Sequence, residues 1–310
     1  MNFLPLFLLL FVLLRVLSWR RAVLSTSAAS AANWAIAAVA ALIICSVLLA
    51  LNSISLRMMS GLQYAAAVLM LTPFVDILGA RRPAHNAWPW FVVIPMIVVL
   101  QWPVASQLAS GNANIAVELP TPTFCGFVLV VVMGCGNYFG TQYTTASLLT
   151  AISCVLVALP VTELLEFGHT WYFRAASGTL ALAAWSVPGK ISAPSVHAPE
   201  ERLHFELWAN FRDIYGMVWA KRVMDRVNQF GAREKWDVHL TLDGFQPVNT
   251  TDNDATAPTQ MQPVPSDVYV EDRPLVILCW VLRRFADHEY LQKYLPKSIV
   301  EAKPNNAAEV

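Results

Sequence analysis

The 42 charged side chains of this 310-residue chain are spread so unevenly that their placement alone decides the fold class. Residues 1–190 hold twelve of them: Arg15, Arg20, Arg21, Arg57, Arg81, Arg82, Arg174, Lys190, Asp76, Glu118, Glu163 and Glu166. That is about 6% of the stretch, too few to coat a water-soluble domain. The other 30 fall in the last 120 residues, about the one-quarter share of an ordinary soluble domain. The expected architecture is an all-α polytopic membrane domain over 1–190, a linker over 191–199, and a small cytoplasmic α+β domain over 200–296. A disordered tail is expected over 297–310. Formal net charge is zero, so nothing steers the chain toward nucleic acid or another polyanion.

About 30 Å of hydrocarbon requires roughly 20 apolar residues in a helix. Seven windows approach that length: Phe3 to Trp19, Ser30 to Leu51, Met59 to Gly79, Trp90 to Leu108, Phe124 to Phe139, Thr144 to Thr162 and Trp171 to Val187. The first, fifth and seventh are marginal, and six spans is the rival count. The first window has no basic residue before it and Arg15, Arg20 and Arg21 within or after it, the reverse of a secretory signal, so a retained span is expected. Arg20 with Arg21 and Arg81 with Arg82 follow the first and third windows, and positive loops stay inside. The expected topology is therefore an N-terminus outside and a cytoplasmic tail in the cell (inner) membrane. Trp88, Trp90, Trp171 and Tyr172 stand where interfacial aromatic belts form.

Beyond a Pro-punctuated linker, Trp208, Phe211, Tyr215, Trp219, Val223, Val227 and Phe230 recur at spacings of three or four, which predicts an amphipathic helix over Glu200 to Phe230. Strict alternation over Trp236 to Leu242, ended by Gly244, predicts a half-buried strand, with Val268 to Val270 as its possible partner. Residues 247–265 are rich in Thr, Asn, Asp, Gln and Pro and read as a disordered loop. Asp272 and Pro274 start a helix of about twenty residues.

The chemical motifs are sparse. Cys45, Cys125, Cys135, Cys154 and Cys279 all lie in apolar runs without CxxC pairing, so they read as small buried hydrophobes. Gly134, Gly136 and Gly140 have GxGxxxG rather than GxGxxG spacing and suit a turn between spans. Glu163, Glu166 and His169 form ExxExxH, whose ExxH half puts two metal ligands on one helix face. A di-iron site needs more ligands than these. His197, Glu200, Glu201 and His204 are interrupted by Pro199, and the two glutamates suit the positive end of a helix dipole. Asp76 is placed for local pairing with Arg81 and Arg82 rather than for transport. No P-loop, HExxH or GxSxG occurs, and no cofactor is expected.

The leading functional expectation is a non-catalytic scaffold or accessory subunit in the lipid bilayer, binding a protein partner through its tail. Trp208, Phe211, Tyr215 and Trp219 are its docking candidates, with burial in the tail's own core as the competing role for the same rings. A small-solute transporter or channel is the first alternative. A membrane enzyme using Glu163, Glu166 and His169 on the outer face is the second.

Overall fold

The structure, a computed structural model, describes residues 3–52, 54–79, 88–110, 117–162, 169–187, 200–248 and 272–302. It is mostly helical and divides near residue 191 into two units.

The first unit contains α1 (Leu4–Ala22), α2 (Ala29–Leu51), α3 (Leu56–Leu78), α4 (Ile94–Ser110) preceded by a π turn at Pro89–Val93, α5 (Thr121–Gly136), α6 (Thr144–Ala158) extended by a 3₁₀ turn, and α7 (His169–Ser186). Each of the seven apolar windows is helical, but four stretches among the described residues are long and apolar enough to cross a membrane: Ala29–Leu51, Leu56–Leu78, Trp90–Ala109 and Thr144–Val161. The remaining three differ for visible reasons. Three arginines interrupt α1, α5 has 16 residues, and α7 mixes Arg174, Ser177, Gly178 and Thr179 into its apolar run.

The bundle is organised around α3, which packs against α2, α4, α5 and α6. Close approach of the helices and hydrogen bonds between them hold the bundle together. Small residues permit the approach: a Cβ on Gly134 would stand 2.6 Å from Phe74 Cβ, so α3 and α5 touch there because the glycine has no side chain. Hydroxyls supply the bonds. Tyr64 donates to Leu100 O at 3.1 Å across α3 and α4, Ser147 to Cys135 O at 2.7 Å across α5 and α6, and Ser153 to Ala176 O at 2.8 Å across α6 and α7. Pro73 cannot donate to Leu69 O, and the Thr72 hydroxyl does so instead at 2.7 Å.

Between α4 and α5 the chain is extended at 117–120, with Val117 and Leu119 buried. Its three amides all find acceptors outside the segment. Val117 N donates to Ser60 Oγ, Glu118 N to Gln107 Oε1 and Leu119 N to Val161 O, while Gln107 Nε2 returns a bond to Glu118 O. Pro120 has no N–H to satisfy.

The second unit is built on α8 (Glu200–Glu234), followed by a hairpin of β1 (Val238–Thr241) and β2 (Gly244–Pro247), then α9 (Asp272–Leu282), α10 (His288–Leu291) and α11 (Lys297–Glu301). Four differences from the sequence reading follow. Gly216, at φ 78° and ψ −179°, breaks α8 in its middle. The partner of β1 is the adjacent β2, antiparallel with Leu240 opposite Phe245, and Val268 to Val270 lie outside the described residues. The expected twenty-residue helix after Asp272 is eleven residues long, because the chain turns at 283–286 to put Phe285 into the core. Lys297–Glu301, expected as disordered tail, is helical and buries Ile299 and Val300. The linker 191–199 and nearly all of the loop 247–265 lie outside the described residues.

Candidate functional site

The first unit holds a partly open cavity of about 180 Å³, walled by five helices. Helix α1 contributes Val12, Val16 and Trp19, whose spacing of four and three sets them on one face. The other walls include Ala35, Ala38 and Leu42 of α2, Met70 and Phe74 of α3, Ala146 and Thr150 of α6, and Leu180, Ala183 and Ala184 of α7. The cavity exists because alanines of α2, α6 and α7 stand where larger side chains would meet. Thr150 carries the single polar side-chain group besides the Trp19 indole, and its hydroxyl is already committed to Ala146 O at 2.8 Å.

One end of this cavity is cationic. Arg15 Nε donates to Ala184 O at 3.2 Å and Nη2 donates to Val187 O, so the guanidinium covers carbonyls that the end of α7 leaves without helical partners. The same guanidinium lies 5.4 Å from the centre of the Trp19 ring. Arg20 follows, with its Nε on Asn33 Oδ1 at 2.6 Å, and then exposed Arg21. Arg15 was legible only as a charge inside an apolar window, and its partners, two backbone carbonyls 169 and 172 residues away, carry no side-chain signature.

The sequence-predicted sites fare differently. Glu163 and Glu166 lie outside the described residues and His169 is the first residue of α7; among the described residues no group of three or more metal-ligating side chains occurs. Asp76 is buried and hydrogen-bonds with Ser30, a neighbour the sequence did not suggest; Arg81 and Arg82 lie outside the described residues. The glycine run is a helix end and turn, as its spacing suggested, with Gly140 at φ +84°. All five cysteines are unpaired and four are buried, but Cys125 is exposed on the surface of α5. On the central helix, Gln63 is buried without a partner for either amide atom among the described residues.

In the second unit the aromatic stripe is core. Trp208, Phe211, Tyr215 and Trp219 are all nearly inaccessible, and Phe285 gathers the last three at ring separations of 5.1, 5.1 and 5.0 Å. Tyr215 also donates to Phe285 O at 2.9 Å. The exposed stripe that docking would need is absent among the described residues: these rings cover one another. Around them, Asn228 closes the edge of β1 by accepting from Leu240 N at 2.7 Å and donating to Leu240 O at 2.8 Å. Arg273 grips Glu234 with two bonds, 2.8 and 2.7 Å, holding the Glu234 carboxyl below its usual range. His204, buried between Phe205 and Phe245, is pushed down to about 4 by loss of solvent, so it is neutral at pH 7.

No protein-family model, curated protein or solved structure matches this chain.

Proposed function

We propose that the chain is a seven-span integral membrane protein of the cell (inner) membrane, N-terminus outside, whose second unit is a cytoplasmic module that holds a protein partner and has no chemistry of its own. One observation carries the membrane half of this reading. Of the 30 large apolar side chains that are exposed among the described residues, 28 belong to the first unit, among them Phe91 at 80%, Trp185 at 75% and Trp102 at 70%. A water-soluble surface does not leave so much contiguous apolar area uncovered. The orientation rests on Arg20, Arg21, Arg81 and Arg82.

With the aromatic stripe internal, the partner surface moves to the charged outer side of α8, where Lys221 and Arg222 are exposed beside Arg226. Single cysteines at Ser55 and Ser266 in a cysteine-free background test the topology. An impermeant thiol reagent on intact cells should label position 55 and not 266, and the opposite pattern overturns the orientation. Co-purification tests the module: a partner lost both on removing 192–310 and in the Lys221→Glu, Arg222→Glu double variant supports it. Solute flux in vesicles, abolished by Gln63→Leu, would favour the transport reading, which Gln63, buried without an amide partner among the described residues, supports.

A further inference from the structure

We infer that the cavity between α1, α2, α3, α6 and α7 is a binding site for part of one acyl chain of an anionic phospholipid, the rest of the chain leaving through the open side. The inference rests on the membrane reading of the first unit. Its first ground is the lining. Apart from Trp19 and Thr150 the walls are aliphatic, phenylalanine or methionine. A dry apolar void of ~150 Å³ readily takes up benzene, and this one is of similar size at about 180 Å³. Water would find no adequate set of polar partners there, whereas the solvent of a membrane unit is hydrocarbon chain.

Depth is the second ground. Trp19 and Phe74 lie toward the C-terminal ends of α1 and α3 and Val187 just past the end of α7, while Ala146 lies in the first turn of α6 and Ala35 in the second turn of α2. All five walls therefore come from the same end of the bundle, and the cavity extends inward from that end over the rise from Trp19 to Val12, about 10 Å of helix. That is an acyl chain's position in one leaflet rather than a midplane solute site. Charge is the third. At that end Arg15, Arg20 and Arg21 sit on one helix, and the two carbonyl bonds of Arg15 use two of its five N–H groups. A phosphate with a net negative headgroup complements them, while a zwitterionic headgroup brings its own cation.

The test uses the full chain in bilayers containing phosphatidylglycerol with a photoreactive diazirine in one acyl chain, with crosslinked residues identified by mass spectrometry. Label at Val16, Ala38 and Ala183 should saturate as the probe fraction rises and be displaced by unlabelled phosphatidylglycerol. Label at Val99 and Trp102, exposed on α4, should rise in proportion to the probe and resist displacement. Ala183→Phe, which fills the cavity, should lower lining label about ten-fold and leave α4 label unchanged. Should that variant misfold, saturation and displacement in the unsubstituted chain still decide. Lining label that rises in proportion, as on α4, overturns the site. Equal labelling by the phosphatidylcholine analogue overturns the anionic headgroup. Absence of label on α4 removes the membrane reading and the site with it, a pattern distinct from either of the others.

Discussion

Trp208 donates its indole N–H to Thr241 O at 2.8 Å and to Leu242 O at 3.1 Å, tying α8 to the end of the hairpin through a ring that is 1% exposed. The ring also stacks on Phe211, 5.8 Å between centres. Trp208→Ala therefore removes a core side chain and takes the indole donor from Thr241 O, while Leu242 O keeps Arg212 Nη1, at a cost of about 3–5 kcal/mol, comparable with Trp219→Ala. Hydrogen exchange at the Leu240 amide of the full chain reads this directly. Unchanged protection there in the Trp208→Ala chain would refute the core assignment.

His204 makes the second unit sensitive to mild acid. Its pKa falls from 6.5 to about 4 on folding, so the unfolded chain takes up the proton first as pH drops. Stability is full above pH 6.5, declines between 6.5 and 4, and is lower by about 3 kcal/mol at the bottom of that window. His204→Phe should flatten this part of the profile, measured as exchange protection of β1 against pH. A profile as steep as that of the unsubstituted protein would count against it.

A separate acid limb belongs to Glu234. Arg273 holds its carboxyl below the ordinary 4.5, so the contribution is present above that pH and is lost as pH falls through the lower folded value. With both side chains partly exposed, Glu234→Gln should cost about 1 kcal/mol at neutral pH despite the two-point geometry. The difference between variant and parent should vanish in strong acid. A gap in denaturation midpoint that persists there would mean that packing, not charge, is responsible.

Gly134 sets the distance between α3 and α5. Gly134→Ala forces its Cβ against Phe74 Cβ, close to the backbone where little can yield, and should cost about 1–3 kcal/mol. Adjacent Cys135 is buried, so the reaction rate of its thiol with a maleimide dye on heating reports the opening of this interface in a Cys125→Ser background. The variant should react at lower temperature; an identical curve would show that the interface tolerates the methyl group.

Charge and apolar period were enough to mark every helix of the first unit and the start of α8, because burial in hydrocarbon or in a core imposes composition over many consecutive residues. The break at Gly216 was not legible: a lone glycine inside a helical period is usually tolerated, and only its φ reveals the kink. Nor was the partner of β1, since GFQP has too short an alternation to be told from a turn. Phe285 was missed because it follows two arginines in a turn, outside any periodic run. The cavity was invisible for a related reason. It is defined by alanines on three separate helices, and a void has no residue of its own to read.

The extended residues 117–119 also carry information about the order in which the protein is made. The acceptors for Val117 and Glu118, on Ser60 and Gln107, are synthesised before them, whereas Leu119 must await the carbonyl of Val161, more than forty residues later. On a ribosome this strap can be pinned at two points while its third amide is still without its final acceptor. Only once Val161 has been made and α6 has packed can the connector close, which makes residues 117–119 a latch that records the arrival of the second half of the bundle.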